Sequence, residues 1–168
     1  MKIELAKTEV IHFVGIGGIG MSGLSLIMKA KGFKIQGSDL NLNKNVERLK
    51  KEKIKVFIGQ KKQNLKNATI IVISSAIKKN NPEIIEAKRK NLPIITRGKM
   101  LAHIVSLTKN IVVVGSHGKT TTTSLIASIF QKTKLDPTII NGGIINSIKN
   151  TARLGKSEWS ILEADESD

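Results

Sequence analysis

The sequence predicts an α/β protein in which parallel sheets carry helices on both faces. Short runs rich in Ile and Val alternate with amphipathic stretches along the chain, as they do when buried parallel strands are joined by helices. The order strand, glycine-rich loop, helix also occurs twice, first after residue 10 and again after residue 110. We therefore expect two strand–loop–helix units in tandem.

The apolar runs and their spacing predict the individual elements. Eight strands are predicted, at Val10–Val14, Lys34–Gln36, Lys55–Ile58, Thr69–Ser74, Pro93–Thr96, Asn110–Val114, Pro137–Ile140 and Trp159–Glu163. Four helices are predicted, at Gly18–Lys31, Asn81–Lys90, Gly98–Val105 and Lys119–Lys132. Because the pattern restarts near residues 106–109, we predict two domains, residues 1–107 and 108–168.

The composition excludes several classes of protein. Aromatic residues make up 3% of the chain, so a core must be built from Ile, Val and Leu. The chain has no cysteine, which excludes a disulfide framework, a Cys-ligated zinc and a thiol nucleophile. No apolar run approaches the roughly 20 residues that span a bilayer. We expect a cytoplasmic protein without a membrane partner.

The net charge of +15 raises the question of a nucleic-acid partner. Of the 28 cations, 24 are Lys and 4 are Arg. Base recognition and phosphate clamping favour the planar guanidinium of Arg, and single-strand binding needs stacking aromatics, which this chain nearly lacks. We interpret the lysines as a solvated surface and expect no nucleic-acid partner.

The first glycine loop lies in residues 10–23, which read VIHFVGIGGIGMSG. Gly15, Gly17 and Gly20 have the G-x-G-x-x-G spacing that allows a tight turn and close approach of the backbone to a phosphate. The helix that follows aims its N-terminal N–H groups at an anion. Asp39 stands about twenty residues further on, where a ribose-binding acid would lie. A nucleotide is expected here, and this pattern fits NAD and a UDP-sugar equally well.

The second glycine loop lies in residues 110–124, which read NIVVVGSHGKTTTTS. It is a shortened P-loop, Gly-x-x-Gly-Lys-Thr, because Val113 stands where the standard motif has its first glycine. The amides of such a turn form a nest for phosphate oxygens. Lys119 would add a positive charge near the β- and γ-phosphates, and the Thr120 hydroxyl could bind Mg²⁺. This loop predicts ATP binding.

An acidic strand end follows about forty residues later, in EWSILEADESD at residues 158–168. Glu163, Asp165, Glu166 and Asp168 come at the carboxyl end of a predicted strand, the edge where α/β proteins bind ligands. Mg²⁺ takes one or two carboxylates together with phosphates and water. We predict that Glu163, at the strand terminus, completes a metal site with Thr120.

Together, these motifs resemble the ATP-dependent Mur ligases of peptidoglycan synthesis. The resemblance extends over nearly the whole chain and rests on residues 11–23, 37–39, 74–77, 81–83, 115–123 and 163–168. His117 and the four threonines at 120–123 are similar to the family member that adds L-alanine. The resemblance implies a Rossmann-like UDP-sugar-binding domain, followed by an incomplete P-loop-type α/β ATPase domain.

The resemblance also implies the substrates and the residues that bind them. The first loop would hold the uridine diphosphate of UDP-N-acetylmuramate rather than NAD, through Gly15, Ile16, Gly17, Gly18, Ile19, Gly20, Asp39, Ser74, Ser75, Ala76 and Ile77. ATP would be bound by Gly115, Ser116, His117, Gly118, Lys119, Thr120 and Thr121, with Lys119 catalytic and Mg²⁺ at Thr120 and Glu163.

The reaction implied by the resemblance begins with transfer of the γ-phosphoryl group of ATP to the muramoyl carboxylate. The amine of L-alanine then attacks the acyl phosphate. Three alternatives stay open: the related ligase that attaches a whole peptide to UDP-N-acetylmuramate, a non-catalytic UDP-sugar-binding module, and an NAD-dependent oxidoreductase. The oxidoreductase leaves residues 115–123 unexplained.

The sequence departs from the family pattern at three points. Ser116 stands where Thr is common, and Thr151 stands where Asn is usual. Family members are also much longer and carry a further domain that helps to bind ATP and the amino acid. We therefore expect the second domain to be truncated and this chain to bind UDP-sugar without ligase activity on its own.

Overall fold

The computed structural model describes residues 5–106, 108–133, 135–145, 150–153 and 155–163. The chain divides into two compact units, Met1–Met100 and Leu101–Asp168. This division lies seven residues before the predicted domain boundary, and the bounds 1–107 and 108–168 stay a prediction. In the described part of the chain, no helix combines the length and apolar character needed to cross a bilayer.

The first unit is built on a parallel sheet, which confirms the predicted fold class. Its described strands are β1 (Val10–Val14), β2 (Lys34–Asp39), β3 (Lys55–Ile58), β4 (Ile70–Ile73) and β5 (Ile94–Thr96), in the order β3-β2-β1-β4-β5. The chain first builds outward from β1 through β2 to β3 and then returns to the other side of β1 for β4. The order therefore reverses between β1 and β4, where ligands bind in open α/β sheets.

Three helices and a 3₁₀ helix are described in the first unit, and a fourth helix begins there and continues into the second unit. They are α1 (Ile19–Ala30), α2 (Lys44–Lys51), the 3₁₀ helix Lys62–Leu65, α3 (Pro82–Arg89) and α4 (Arg97–Val105). The sequence prediction missed α2 because Val46 and Leu49 are its buried residues, too few for a clear apolar period. Its start is fixed by Asn43, whose side chain accepts a hydrogen bond from the Val46 amide at 3.0 Å.

The core of the first unit lies on both faces of β1. Val14 packs with Leu65, Ile71 and Ala87 on the face that carries the 3₁₀ helix and α3. Because side chains alternate along a strand, Phe13 points to the opposite face, where it is fully buried. Because both faces of β1 are covered, its residues are apolar on both faces, with His12 as the exception.

The second unit has a mixed sheet around one helix. Its described elements are β6 (Lys109–Val113), α5 (Lys119–Gln131), β7 (Thr138–Ile145), β8 (Asn150–Arg153) and β9 (Trp159–Glu163), with strand order β6-β9-β7-β8. β9 pairs in parallel with β6 and β7, whereas β7 and β8 are antiparallel. The sequence prediction missed β8, whose residues NTAR contain no apolar run.

The large apolar residues of α5 differ in how far they are buried. Ile126 and Phe130 pack against a core of Ala127, Ile139 and Ile161. Leu125 and Ile129 are 62% and 63% exposed. Leu125 and Ile129 therefore lie outside the stripe of α5 that packs on this core.

We predict that Glu86→Gln lowers the stability of the protein near neutral pH, and that acid removes this difference. Arg89 donates two hydrogen bonds of 2.8 Å to the Glu86 carboxylate. They lower the pKa of Glu86 from 4.5 to about 2, because they favour the ionised form. A lowered pKa stabilises the fold fully above the unfolded-state value, and this contribution is lost as the pH falls toward the folded-state value.

Urea unfolding of the parent and of Glu86→Gln, followed from about pH 7 down to about pH 3, measures this difference. The gap between the two midpoints should narrow progressively below about pH 4.5, toward the folded-state pKa of about 2. A gap between them that stays constant over the whole range would contradict the assigned ion pair.

Candidate functional site

The first glycine loop lies where the strand order of the first sheet reverses. It connects β1 to α1, and Gly15 has φ +76°, a left-handed conformation that favours glycine. The turn at residues 74–77 follows the neighbouring strand β4. Ile77 packs directly on Gly15, since a Cβ there would lie 3.1 Å from Ile77 Cδ1. The structure thus brings together the loop and the turn that the sequence singled out.

The backbone amides of this loop are engaged within the protein. Gly15 and Ile16 both donate to the carbonyl oxygen of Ser38, at 2.8 and 2.9 Å, and Gly18 donates to the carbonyl oxygen of Gly15 at 3.1 Å. Gly17 donates to Asp39 Oδ2 at 2.8 Å. The donors that face a ligand would therefore be the first amides of α1, because the N–H groups of a first helical turn have no acceptor within the helix.

Asp39 holds the loop from the end of β2. Besides the Gly17 amide, its carboxylate accepts a hydrogen bond from the Asn41 amide at 3.2 Å. Asn45 also holds Gly17, because its Nδ2 donates to the Gly17 carbonyl oxygen at 2.8 Å. Sequence reasoning missed Asn45, which lies in the undetected helix α2. Contact between Asp39 and a nucleotide or sugar stays a prediction.

Arg97 is a second residue that sequence reasoning missed. It directly follows β5 at the carboxyl edge of the sheet, and its guanidinium lies against Gly20 so closely that a Cβ there would overlap it. A guanidinium beside the first turn of α1, which has no acidic residue, makes this region positive. Arg97 directly follows Thr96, the last residue of a predicted strand, so the sequence alone already placed a cation at a strand end.

The turn after β4 presents small and polar groups to solvent. Ser75 and Ala76 are exposed, whereas Ser74 and Ile77 are half-buried. The turn is closed by a hydrogen bond of 3.2 Å from the Ile77 amide to the Ser74 carbonyl oxygen. The exposed serine and the neighbouring amides can contact a polar ligand that lies over the glycine loop.

The second glycine loop connects β6 to α5. Gly118 precedes the first residue of α5 with φ +78°, and residues 114–118 are exposed. Lys119 Nζ folds over this loop and donates to the Gly115 carbonyl oxygen at 2.6 Å. The ammonium group therefore lies over the loop, where the amides of residues 115–118 and the first turn of α5 would receive phosphate oxygens.

Thr120 and Glu163 meet beside this loop. Glu163 lies at the end of β9 and pairs in register with Val113, the last residue of β6. The Thr120 hydroxyl lies 3.3 and 3.2 Å from the two oxygens of the Glu163 carboxylate and donates to it. Asp165, Glu166 and Asp168, the other acids of the predicted cluster, lie outside the described residues.

The donor atoms of this pair fit Mg²⁺. Both residues offer oxygen, the ligand that this cation prefers. Adjacent ligands of an octahedron with bonds of 2.0–2.1 Å are about 2.9 Å apart, close to the observed spacing of the Thr120 and Glu163 oxygens. Phosphate oxygens and water would supply the remaining ligands.

One protein family matches the sequence over most of the first unit and the first residues of the second unit. Residues 10–109 match the Mur ligase family, catalytic domain. The UDP-N-acetylmuramate–L-alanine ligase of Pelagibacter ubique is 77% identical over the whole chain, which covers 36% of that protein. The corresponding ligase of Rickettsia prowazekii is 55% identical over 99% of the chain and 34% of its own length. The chain thus spans about a third of these curated relatives.

Solved structures share the fold of this chain. The UDP-N-acetylmuramate–alanine ligase MurC of Thermotoga maritima superposes with a TM-score of 0.87 at 31% identity, over 94% of this chain and 37% of that one. The UDP-N-acetylmuramate:L-alanyl-γ-D-glutamyl-meso-diaminopimelate ligase of Neisseria meningitides superposes with a TM-score of 0.85 at 30% identity, over 94% of this chain and 53% of that one.

We predict that Gly37→Ala destabilises the protein by about 1–3 kcal/mol, a typical cost of overpacking. A Cβ at Gly37 would lie 2.6 Å from both the Ile16 Cδ1 atom and the Phe13 carbonyl oxygen, and the latter belongs to the sheet backbone and cannot move aside. Ile16 is fully buried, so the glycine loop would have to shift with it.

Gly18→Ala is the matched control, because its Cβ would approach the Gly15 carbonyl oxygen to 3.3 Å without closer contacts. Urea unfolding of both variants makes the comparison. Equal stability of the two variants would show that Gly37 is not packed under the loop in this way.

Proposed function

The chain belongs to the Mur ligase family, and from this membership we propose that it takes part in the ATP-dependent ligation of L-alanine to UDP-N-acetylmuramate, a cytoplasmic step of peptidoglycan synthesis. The names and identities of the Pelagibacter and Rickettsia relatives support this choice of substrates. The observation that carries the proposal is the contact between Thr120 and Glu163 beside Lys119, because it assembles the parts of a phosphoryl-transfer site.

The glycine loop of the first unit is the proposed site for the UDP-sugar. The first amides of α1 and the guanidinium of Arg97 would bind the diphosphate, because a guanidinium and aligned N–H groups both match phosphate oxygens. Asp39 and the turn at residues 74–77 flank the loop and would contact the uridine or the sugar. Arg97 adds a cation at the third glycine, Gly20.

The second glycine loop is the proposed site for ATP. Residues 115–118 would bind phosphate oxygens through their amides, and Thr121 would extend the first turn of α5 that faces them. Lys119 would exchange its contact with the Gly115 carbonyl oxygen for one with the β- and γ-phosphates. Thr120 and Glu163 would hold Mg²⁺, which when bound neutralises part of the phosphate charge.

The proposed reaction needs positioning and charge neutralisation more than covalent chemistry from the protein. Phosphoryl transfer proceeds through a loose transition state whose charge is spread over the phosphoryl oxygens. Lys119 is the proposed catalytic residue, because its ammonium can stabilise that charge as the group moves to the muramoyl carboxylate. The resulting acyl phosphate would then react with the amine of L-alanine.

The ligase that joins UDP-N-acetylmuramate to a peptide is the second candidate. The Neisseria protein of that name superposes on this chain almost as well as the Thermotoga alanine ligase does, so the fold does not separate the two functions. The sequence favours L-alanine, since relatives with that substrate in their names reach 77% and 55% identity. A UDP-sugar-binding module without catalysis is the third candidate, and measurement of ATP binding separates it from the ligases.

We predict that UDP-N-acetylmuramate raises the melting temperature of this chain and that NAD does not. A ligand that binds the folded state stabilises it by RT ln(1 + [L]/Kd), so saturating ligand gives a measurable shift. Differential scanning fluorimetry with each ligand in turn tests this. Stabilisation by NAD alone would reverse the assignment of the first loop.

We predict that Lys119→Ala weakens the binding of Mg²⁺–ATP to this chain by at least about tenfold, because hydrogen bonds to a charged group contribute about 1.5–3 kcal/mol. UDP-N-acetylmuramate binding should be unchanged, since Lys119 lies in the other unit. Lys132→Ala is the control, at the opposite end of α5. Isothermal titration calorimetry measures the binding of Mg²⁺–ATP and of UDP-N-acetylmuramate to both variants. An equal effect of both substitutions on Mg²⁺–ATP binding would exclude the proposed role of Lys119.

A further inference from the structure

We propose that Glu83 is a positioning residue that ties the first glycine loop to the turn at residues 74–77. This inference rests on the proposed function, because these two segments form the proposed UDP-sugar site. Glu83 lies in the first turn of α3 and its side chain is completely buried, as are those of His12 and Ser38. Glutamate is almost never fully buried unless it has specific partners.

Three side chains of the sheet face and the 3₁₀ helix surround the Glu83 carboxylate. Ser38 Oγ donates to Oε2 at 2.6 Å, and Asn64 Nδ2 donates to Oε1 at 2.6 Å. His12 Nε2 lies 3.5 Å from Oε2. His12 Nδ1 lies 3.2 Å from the amide nitrogen of Gln36, which holds the imidazole ring beside Glu83.

The first connection from Glu83 leads to the glycine loop through Ser38. The Ser38 hydroxyl binds Glu83, and the carbonyl oxygen of the same residue accepts the amides of Gly15 and Ile16. The Ser38 side chain is therefore bonded to α3, while its carbonyl oxygen is bonded to the glycine loop. A displacement of the Ser38 hydroxyl would therefore also move the Ser38 carbonyl oxygen, which accepts from the Gly15 and Ile16 amides.

The second connection leads to the turn at residues 74–77. Asn81 caps α3 by accepting a hydrogen bond of 2.8 Å from the Glu83 amide, and Asn81 Nδ2 donates to Gln60 Oε1 at 2.6 Å. These bonds fix the point where the segment that begins at the turn enters α3. Ile77 of this turn packs on Gly15, the same glycine whose amide donates to the Ser38 carbonyl oxygen.

An ordinary acid in the first turn of a helix would interact with the helix dipole from the surface. Glu83 instead directs its carboxylate into the core, where it accepts from two donors at once. A glutamine in its place has one acceptor oxygen and an NH₂ group, so with its oxygen toward Asn64 its NH₂ group would donate to the Ser38 hydroxyl, whose own proton would lose its acceptor. An unpaired buried donor is unfavourable enough to force a local rearrangement.

The test compares the parent chain with Glu83→Gln, Ser38→Ala and the double variant. Two readouts are used: the hydrogen-exchange rates of the Gly15 and Ile16 amides in the free protein, and the affinity for UDP-N-acetylmuramate by calorimetry. Glu86→Gln, the same substitution one turn further along α3, is the charge control. Ile84→Val, a loss of buried apolar packing in the same helix, is the stability control.

We expect Glu83→Gln and Ser38→Ala each to accelerate exchange of both loop amides and to weaken UDP-N-acetylmuramate binding, in each case by about tenfold or more. The double variant should be no worse than either single variant, because both changes break the same connection. Both controls should lower the melting temperature and leave the exchange rates and the affinity unchanged. Ser38→Ala keeps the test decisive if Glu83→Gln does not fold.

The proposal would be overturned if Glu83→Gln and Ser38→Ala lowered only the melting temperature and had the same loop exchange rates and affinity as the controls. Glu83 would then be a residue of the core without a positioning role. The amide readout needs no ligand. Failure of the parent chain to bind UDP-N-acetylmuramate would therefore overturn the proposed function, whereas unchanged exchange rates in Glu83→Gln would overturn the positioning role.

Discussion

The carbonyl oxygen of Ser38 accepts two hydrogen bonds from the first glycine loop, and the geometry of the first site depends on them. They join the end of β1 to the end of β2, so that Gly17 comes within reach of Asp39 and α1 begins immediately beyond. This use of loop amides leaves the first turn of α1 as the face open to an anion. The guanidinium of Arg97 stands beside that same turn.

The second site depends on strand register in the same way. The parallel pairing of β6 with β9 brings Glu163 level with Val113, and the Thr120 hydroxyl reaches its carboxylate from the first turn of α5. The two loops nevertheless use different cations. In the first, Arg97 comes from a distant strand end, whereas in the second, Lys119 belongs to the loop motif itself. The position of Lys119 could therefore be read from the motif, whereas that of Arg97 could not.

The elements that the sequence predicted best are those with continuous apolar runs. The bounds of β1, β3 and β9 agree with prediction because each of these strands carries a short group of large apolar residues. Prediction failed for α2 and β8, whose residues are mostly polar. In those cases the local pattern was weak, and packing against neighbouring elements decided the outcome.

The sequence by itself determined the kinds of site in this protein: two glycine loops at strand–helix junctions, a lysine and a threonine in the second, and an acid at the end of a later strand. These features are local, and their spacing is enough to identify them. The tertiary structure alone decided which distant groups meet them. Arg97 lies on Gly20, Asp39 holds the Gly17 amide, and Glu83 is buried beneath Ser38. Strand order and side-chain direction set these contacts, because residues far apart in sequence meet only when the sheet places their strand ends side by side.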